Sequence, residues 1–152
     1  MAESVVLPHT YRPLGARVAA AAAVVVLVAI IAFLWAMLSD EVQAQFSLFQ
    51  RVTVLAVFGA MVFVLYGVFR TAARAEDRGL TVVNGFVVRR LEWTQVVRLS
   101  FSRNGPWALL DLDDGSTVAV MAIQSADGDR ASRSARELAA VIADQTRIDP
   151  DD

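Results

Sequence analysis

Residues 107–120 read "WALLDLDDGSTVAV". An alternating apolar run ends among Asp111, Asp113 and Asp114, Gly115 follows, and a second alternating run starts at Thr117. Carboxylates just beyond a strand are where phosphoryl-transfer nucleophiles and calcium loops begin. This stretch therefore separates two kinds of protein. As a catalytic loop it closes a parallel strand in a large α/β fold; as a turn it joins two antiparallel strands.

The residues favour the turn. Counted from Asp111 and Asp113, the dehalogenase-type phosphatase pattern wants Thr or Val where Gly115 stands. A calcium loop opened at Asp111 wants an oxygen ligand at Gly115, a glycine at Ser116 and a bidentate glutamate at Ala122. None of these positions fits. Asp-Gly between two alternating runs is instead a hairpin signal, because both positions tolerate positive φ.

Working outward, the same grammar recurs on the N-terminal side. "LTVV" (80–83) and "FVVRRLEW" (86–93) flank Asn84-Gly85, another hairpin signal. "VVRLSF" (96–101) alternates, with Val97, Leu99 and Phe101 on one face and Arg98 and Ser100 on the other. "RNGP" (103–106) turns the chain into "WALLDL", and "DDGS" (113–116) turns it into "TVAVMAI". Five short runs with regular turns predict an antiparallel meander. Beyond the loop "QSADGD", residues 130–144 place Ala135, Leu138, Val141 and Ile142 on one helical stripe. The expected architecture is a small curved sheet capped by a C-terminal amphipathic helix.

Upstream the composition changes. The chain of 152 residues is 56% hydrophobic with a mean hydropathy of +0.49, and its apolar residues crowd ahead of residue 70. Residues 18–38 contain no charge and residues 52–69 none either. At about 1.5 Å per residue, helices of these lengths cover roughly 31 Å and 27 Å, enough for a hydrocarbon core. The first run is followed by "SDEVQ", which lacks a small-x-small cleavage site, so it reads as a span in preference to a signal peptide. The expected organisation is an N-terminal tail (1–17), a first span (18–38), a loop (39–51) and a second span (52–69). A charged juxtamembrane segment (70–78) then continues the second helix as far as Gly79, ahead of a β-domain (79–148) and a tail (149–152).

Arg12 and Arg17 precede the first span and Arg70, Arg74 and Arg78 follow the second, whereas the loop holds only Arg51 beside Asp40 and Glu41. The positive-inside rule then puts both termini in the cytoplasm, in a multi-pass protein of the cytoplasmic membrane. Neither span carries an ionisable residue, which argues against a transporter or channel. Small residues at helical spacing (Ala19 and Ala23; Ala56, Ala60 and Gly67) serve packing within the hairpin or, alternatively, a homo-oligomer face.

Catalytic options are few. There is no cysteine, and the lone histidine, His9, lies in the N-terminal tail. Histidine metal clusters and Ser-His-Asp arrangements are therefore excluded, no phosphate-cradling glycine loop occurs, and a Glu92–Asp111 carboxylate pair is weaker than its reading as exposed strand residues. No cofactor or metal is expected, and the chain reads as a non-enzyme. Residues 70–103 hold seven arginines against three acids, and residues 104–152 hold four against ten. That offset speaks against nucleic acid. Arg89, Arg90, Arg98 and Arg103 with Trp93 and Trp107 form the candidate surface, for a protein partner or an anionic lipid headgroup.

The order of a two-helix hairpin, "RAEDRGLTV", "RRLEWTQVVRLSF" and "WALLDLDDGSTVAVMAI" resembles small actinobacterial membrane proteins with a bacterial pleckstrin-homology (PH)-like domain, the low molecular weight protein antigen 6 type. The resemblance covers residues 14–124 and rests on Asp77-Arg78-Gly79, Trp93, Trp107 and the Asp114-Gly115 turn. It implies a strongly bent antiparallel sheet closed by the C-terminal helix, and it implies no activity. A full PH sheet has seven strands, two more than the five visible here. The tight Asn84-Gly85 turn also departs from the basic first-hairpin loop of phosphoinositide-binding PH domains, so that ligand is not implied. The expected function is a membrane-anchored, non-catalytic interaction module at the cytoplasmic face. The alternatives are an anionic-lipid sensor and an accessory subunit of a larger membrane complex.

Overall fold

The computed structural model describes residues 6–102 and 104–147 and divides into two units, one of helices and one rich in strands. The helical unit, residues 16–69, contains most of α1 (Leu14–Met37), then α2 (Asp40–Gln45) and most of α3 (Leu48–Arg70). Helices α1 and α3 are each long and apolar enough to cross a membrane, and only 6% of each apolar stretch is buried. Core helices of a soluble protein bury their apolar faces; these leave valine, leucine and phenylalanine uncovered on all sides.

The connection between them is built from polar contacts at the helix ends. Ser39 caps α2, and Gln43 Nε2 donates to the carbonyls of Trp35 and Leu38 at 3.0 and 3.1 Å, at the C-terminal end of α1. Arg51 stacks on Trp35 at 5.5 Å and donates to the Gln43 carbonyl at 2.8 Å. At the other end of the pair Arg17 lies 5.6 Å from the ring of Phe69. Thr53 bonds back to the Phe49 carbonyl at 2.9 Å, so its hydroxyl is no obstacle within an apolar helix.

Among the described residues, the second unit comprises 6–15, 70–102 and 104–147. It holds β1 (His9–Tyr11), β2 (Ala72–Glu76), β3 (Gly79–Asn84), β4 (Val87–Leu91), β5 (Val96–Ser100), β6 (Trp107–Leu112), β7 (Thr117–Gln124) and α4 (Asp129–Gln145). Two antiparallel sheets, ordered β1-β2-β3-β4 and β5-β6-β7, enclose a core centred on Ala73, Ala75, Leu80, Leu110, Val120 and Leu138. The buried stripe of α4 is Ala131, Ala135, Leu138, Val141 and Ile142, which contains the four residues expected from periodicity.

Two segments depart from the sequence reading, and together they supply the missing strands. Residues 70–78 do not continue the second helix: α3 ends at Arg70 and the chain enters β2. Ala73 and Ala75 point inward and Arg74 and Glu76 outward, a period of two masked because alanine and arginine are good helix formers. In the N-terminal segment, residues 9–11 are not part of a free tail either. His9, Thr10 and Tyr11 pair with Ala75, Arg74 and Ala73, so β1 is an edge strand of the first sheet. Strands on either side of the whole helical segment are thus direct neighbours.

Three further contacts lock this arrangement. The Asp127 carboxylate accepts from the backbone N–H groups of Leu14 and Gly15 at 2.9 and 2.8 Å, capping the start of α1 from more than a hundred residues away. Tyr11 is 3% exposed and its hydroxyl has no protein partner. Burial, with the charge of Glu137 adding to it, pushes its pKa up to about 12. Gly79, expected as a helix stop, is instead the first residue of β3, where the Leu91 carbonyl oxygen would lie 2.2 Å from any Cβ.

Three outcomes follow. Gly79→Ala forces backbone apart and should cost about 2 kcal/mol or more of stability, read as a lowered thermal midpoint in detergent. Asp127→Ala removes the cap on α1 and should cost about 1 kcal/mol, with Asp127→Asn milder in the same assay. The raised Tyr11 pKa means that the fold favours the neutral phenol, so its contribution is complete below pH 10 and declines as pH rises toward 12. Tyr11→Phe should flatten that alkaline decline in pH-dependent unfolding, and should be neutral or stabilising at pH 7 because it removes an unsatisfied buried hydroxyl.

Candidate interaction surface

The aspartates of residues 111–114 do structural work. Asp111 accepts from Arg98 Nε at 2.6 Å across the β5–β6 pair. Asp114 accepts from the backbone N–H of Ser116 at 2.8 Å, and Gly115 takes φ 80°. The hydrogen bonds from Ser116, with the charge of Arg89 contributing less, hold the Asp114 carboxyl below its usual pKa. Among the described residues no group of three or more His, Asp or Glu is placed to hold a metal. Glu92 lines an open groove of about 630 Å³ with Asp77, Arg78, Trp93, Thr94, Gln145 and Thr146, whereas Asp111, on β6, is held by Arg98 of β5. The structure therefore does not join Glu92 and Asp111 as a pair.

The six residues of the candidate surface do not form one face. Trp93 belongs to the core: it is 7% exposed, lies in a short 3-10 turn and donates from Nε1 to the Glu76 carbonyl at 3.0 Å. It anchors the end of β2. Arg98 is exposed but paired with Asp111. Trp107 is half-buried at the start of β6, opposite Gln124. Arg103 lies outside the described residues. Arg89 and Arg90 are adjacent on β4, opposite Val82 and Thr81, and as consecutive strand residues they project to opposite faces of the sheet. Val97 is also not inward with Leu99: a register shift between Val96 and Arg98 leaves Val96 buried and Val97 exposed.

Sequence reasoning missed a patch beside those arginines. Asn84-Gly85 was expected to form the turn, but the register pairs Asn84 with Val87, so the loop residues are Gly85 and Phe86. This one-residue displacement has two effects. The Asn84 amide leaves the turn and bonds β7, donating to the Ala119 carbonyl at 2.7 Å and accepting from Met121 N–H at 3.1 Å. Phe86 moves to the hairpin tip, and Phe86, Val87 and Val88 are 44, 61 and 46% exposed. The available signal was the run "FVVRR", three apolar residues and two arginines directly after the glycine.

Strand β4 is also an edge. It pairs with β3 on one side only, and its burial is confined to Leu91. The β7 edge, by contrast, is engaged by Asn84, and β1 is three residues long. A regular edge strand with exposed apolar side chains can accept a further strand, the liability that proteins ordinarily blunt.

Residues 70–140 match the family model described as Bacterial PH domain. Uncharacterized proteins of Mycobacterium bovis and of two strains of Mycobacterium tuberculosis are each 36% identical to this chain over 89 residues, which is 56% of this chain and 58% of theirs. The match therefore spans under two thirds of those relatives. No solved structure matches the chain significantly. Two sheets of four and three antiparallel strands around one core, closed by a C-terminal helix, together with that match over residues 70–140, show a PH-like fold similar to the bacterial PH domain family.

Proposed function

We propose that this chain is a membrane-anchored, non-catalytic interaction module, its PH-like domain held at the cytoplasmic face of the membrane by the α1–α3 hairpin. The observation that carries the reading is the pairing of β1 with β2 across the two apolar helices. A strand before the first helix and a strand after the second can pair only if both lie on the same side of a bilayer, which two crossings provide. The arginine distribution around the helix ends favours the cytoplasmic side. Cleavage after α1 would remove β1 from its sheet, which favours a retained span over a signal sequence. PH-like folds generally bind and do not catalyse, and a site, not a fold, would be needed to argue a reaction.

Anchoring raises the domain's effective concentration for neighbouring membrane proteins. The partner surface in this reading is the exposed edge of β4, where backbone hydrogen bonds would give affinity and the alternating side chains selectivity. Copurification from the native host membrane tests it, with quantitative mass spectrometry of the full chain, the hairpin alone (residues 16–69) and a Val88→Lys/Arg90→Glu variant. The expected result is a protein enriched with the full chain, lost with the hairpin, and depleted with the variant. A partner retained by the hairpin alone would make this an accessory membrane subunit instead.

A further inference from the structure

The tip of the β3–β4 hairpin is tied to the residues that leave α3. Gly85 N–H donates to Thr71 Oγ1 at 3.1 Å, and the Arg70 guanidinium lies 5.7 Å from the centre of the Phe86 ring. Arg70 is the last residue of α3 and follows Phe69, the end of its apolar run. The Arg70–Phe86 contact therefore puts Phe86 within one side chain's reach of the residue at which the helix ends. At that point the strand-rich unit presents three consecutive exposed apolar residues, Phe86, Val87 and Val88, followed by exposed Arg89 and Arg90.

We propose that this tip is a lipid-contacting wedge: Phe86 and Val87 enter the headgroup–acyl boundary, and Arg70 and Arg90 meet anionic headgroups. The inference rests on the membrane reading above and adds a second contact with the same bilayer. Three features select lipid over other occupants. The patch is tied to the end of a helix of bilayer length, through the Arg70–Phe86 and Thr71–Gly85 contacts. Apolar residues at the tip flanked by arginines match the order of acyl chain and phosphate met on entering a leaflet. Arg89 has Asp114 within electrostatic reach on the β6–β7 turn, so the arginines assigned to headgroups are Arg70 and Arg90. The loop conformation is also suited to the role, since Gly85 takes φ 62° and turns the chain within two residues, leaving Phe86 at the apex. An aromatic ring with a guanidinium stacked on it is at home in the interfacial layer, where one side is apolar and the other wet.

The absence of native cysteine allows a direct test on the full chain. Val87→Cys, Asp77→Cys (the β2–β3 turn) and Val57→Cys (within α3) are each labelled with an environment-sensitive fluorophore. They are then reconstituted in nanodiscs of phosphatidylcholine and phosphatidylglycerol carrying nitroxide lipids spin-labelled both at the headgroup and along the acyl chain. The expected result is strong quenching at positions 57 and 87 and several-fold weaker quenching at 77. Quenching at 57 with position 87 indistinguishable from 77 would overturn the wedge while leaving the span intact. No quenching at any of the three would overturn the membrane reading itself. A label at 87 that is shielded from water yet unquenched would assign the patch to a protein and overturn the lipid contact. Arg70→Gln with Arg90→Gln should reduce quenching at 87 several-fold in the anionic mixture and little in phosphatidylcholine alone; an equal effect in both would overturn the headgroup contact.

Discussion

Everything in this molecule depends on three backbone pairs, His9 with Ala75, Thr10 with Arg74 and Tyr11 with Ala73. They join strands separated in sequence by the entire helical segment. Such a closure is entropically expensive when the intervening chain is flexible, and its cost grows only slowly with length. Here the intervening chain is mostly two regular helices, which leaves fewer conformations to lose. Core packing completes the closure: Ala73 and Ala75 are fully buried against the second sheet, and only small side chains let β2 approach that closely. The Asp127 carboxylate then fastens Leu14 and Gly15, where a Cβ on residue 15 would meet its Oδ1 at 2.7 Å. Within the strand-rich unit, Asp127 thus holds residues 14 and 15, and the Gly85 N–H donates to Thr71.

A second dependence runs through the register of one hairpin. Because side chains alternate along a strand, moving a turn by one residue reassigns every role nearby. With Gly85 and Phe86 in the loop, Asn84 is freed to occupy the backbone edge of β7, and one of the exposed edges of the second sheet is thereby blocked. The same displacement puts an aromatic ring at the apex beside the end of α3 and leaves β4 as the regular edge with exposed side chains.

Much of this was legible in order and type. The two apolar runs, the five strands between residues 79 and 124 and the buried stripe of α4 all carry strong periodicity or length signals. The hairpin reading of Asp114-Gly115 followed from chemistry, because the positions that a metal or a phosphoryl group would need are filled by the wrong residues. Strand β2 was hidden because "AARAE" has alanine where a strand signal needs valine or isoleucine, and burial against a neighbouring sheet overrode helix propensity. Strand β1, at three residues, is too short to show periodicity at all.

The residues of the candidate surface mark where local reading stops. Sequence alone determined that the chain has two long apolar segments, a meander of short strands and an amphipathic helix, since each of these is a property of local pattern. Whether Trp93 faces solvent or the Glu76 carbonyl, whether Arg98 is available or held by Asp111, and whether Phe86 is a strand residue or an apex were decided by tertiary structure. The reason is the same in each case: these outcomes depend on which distant backbone lies opposite, and register between strands is set by the packing of the whole core and not by the residues of either strand.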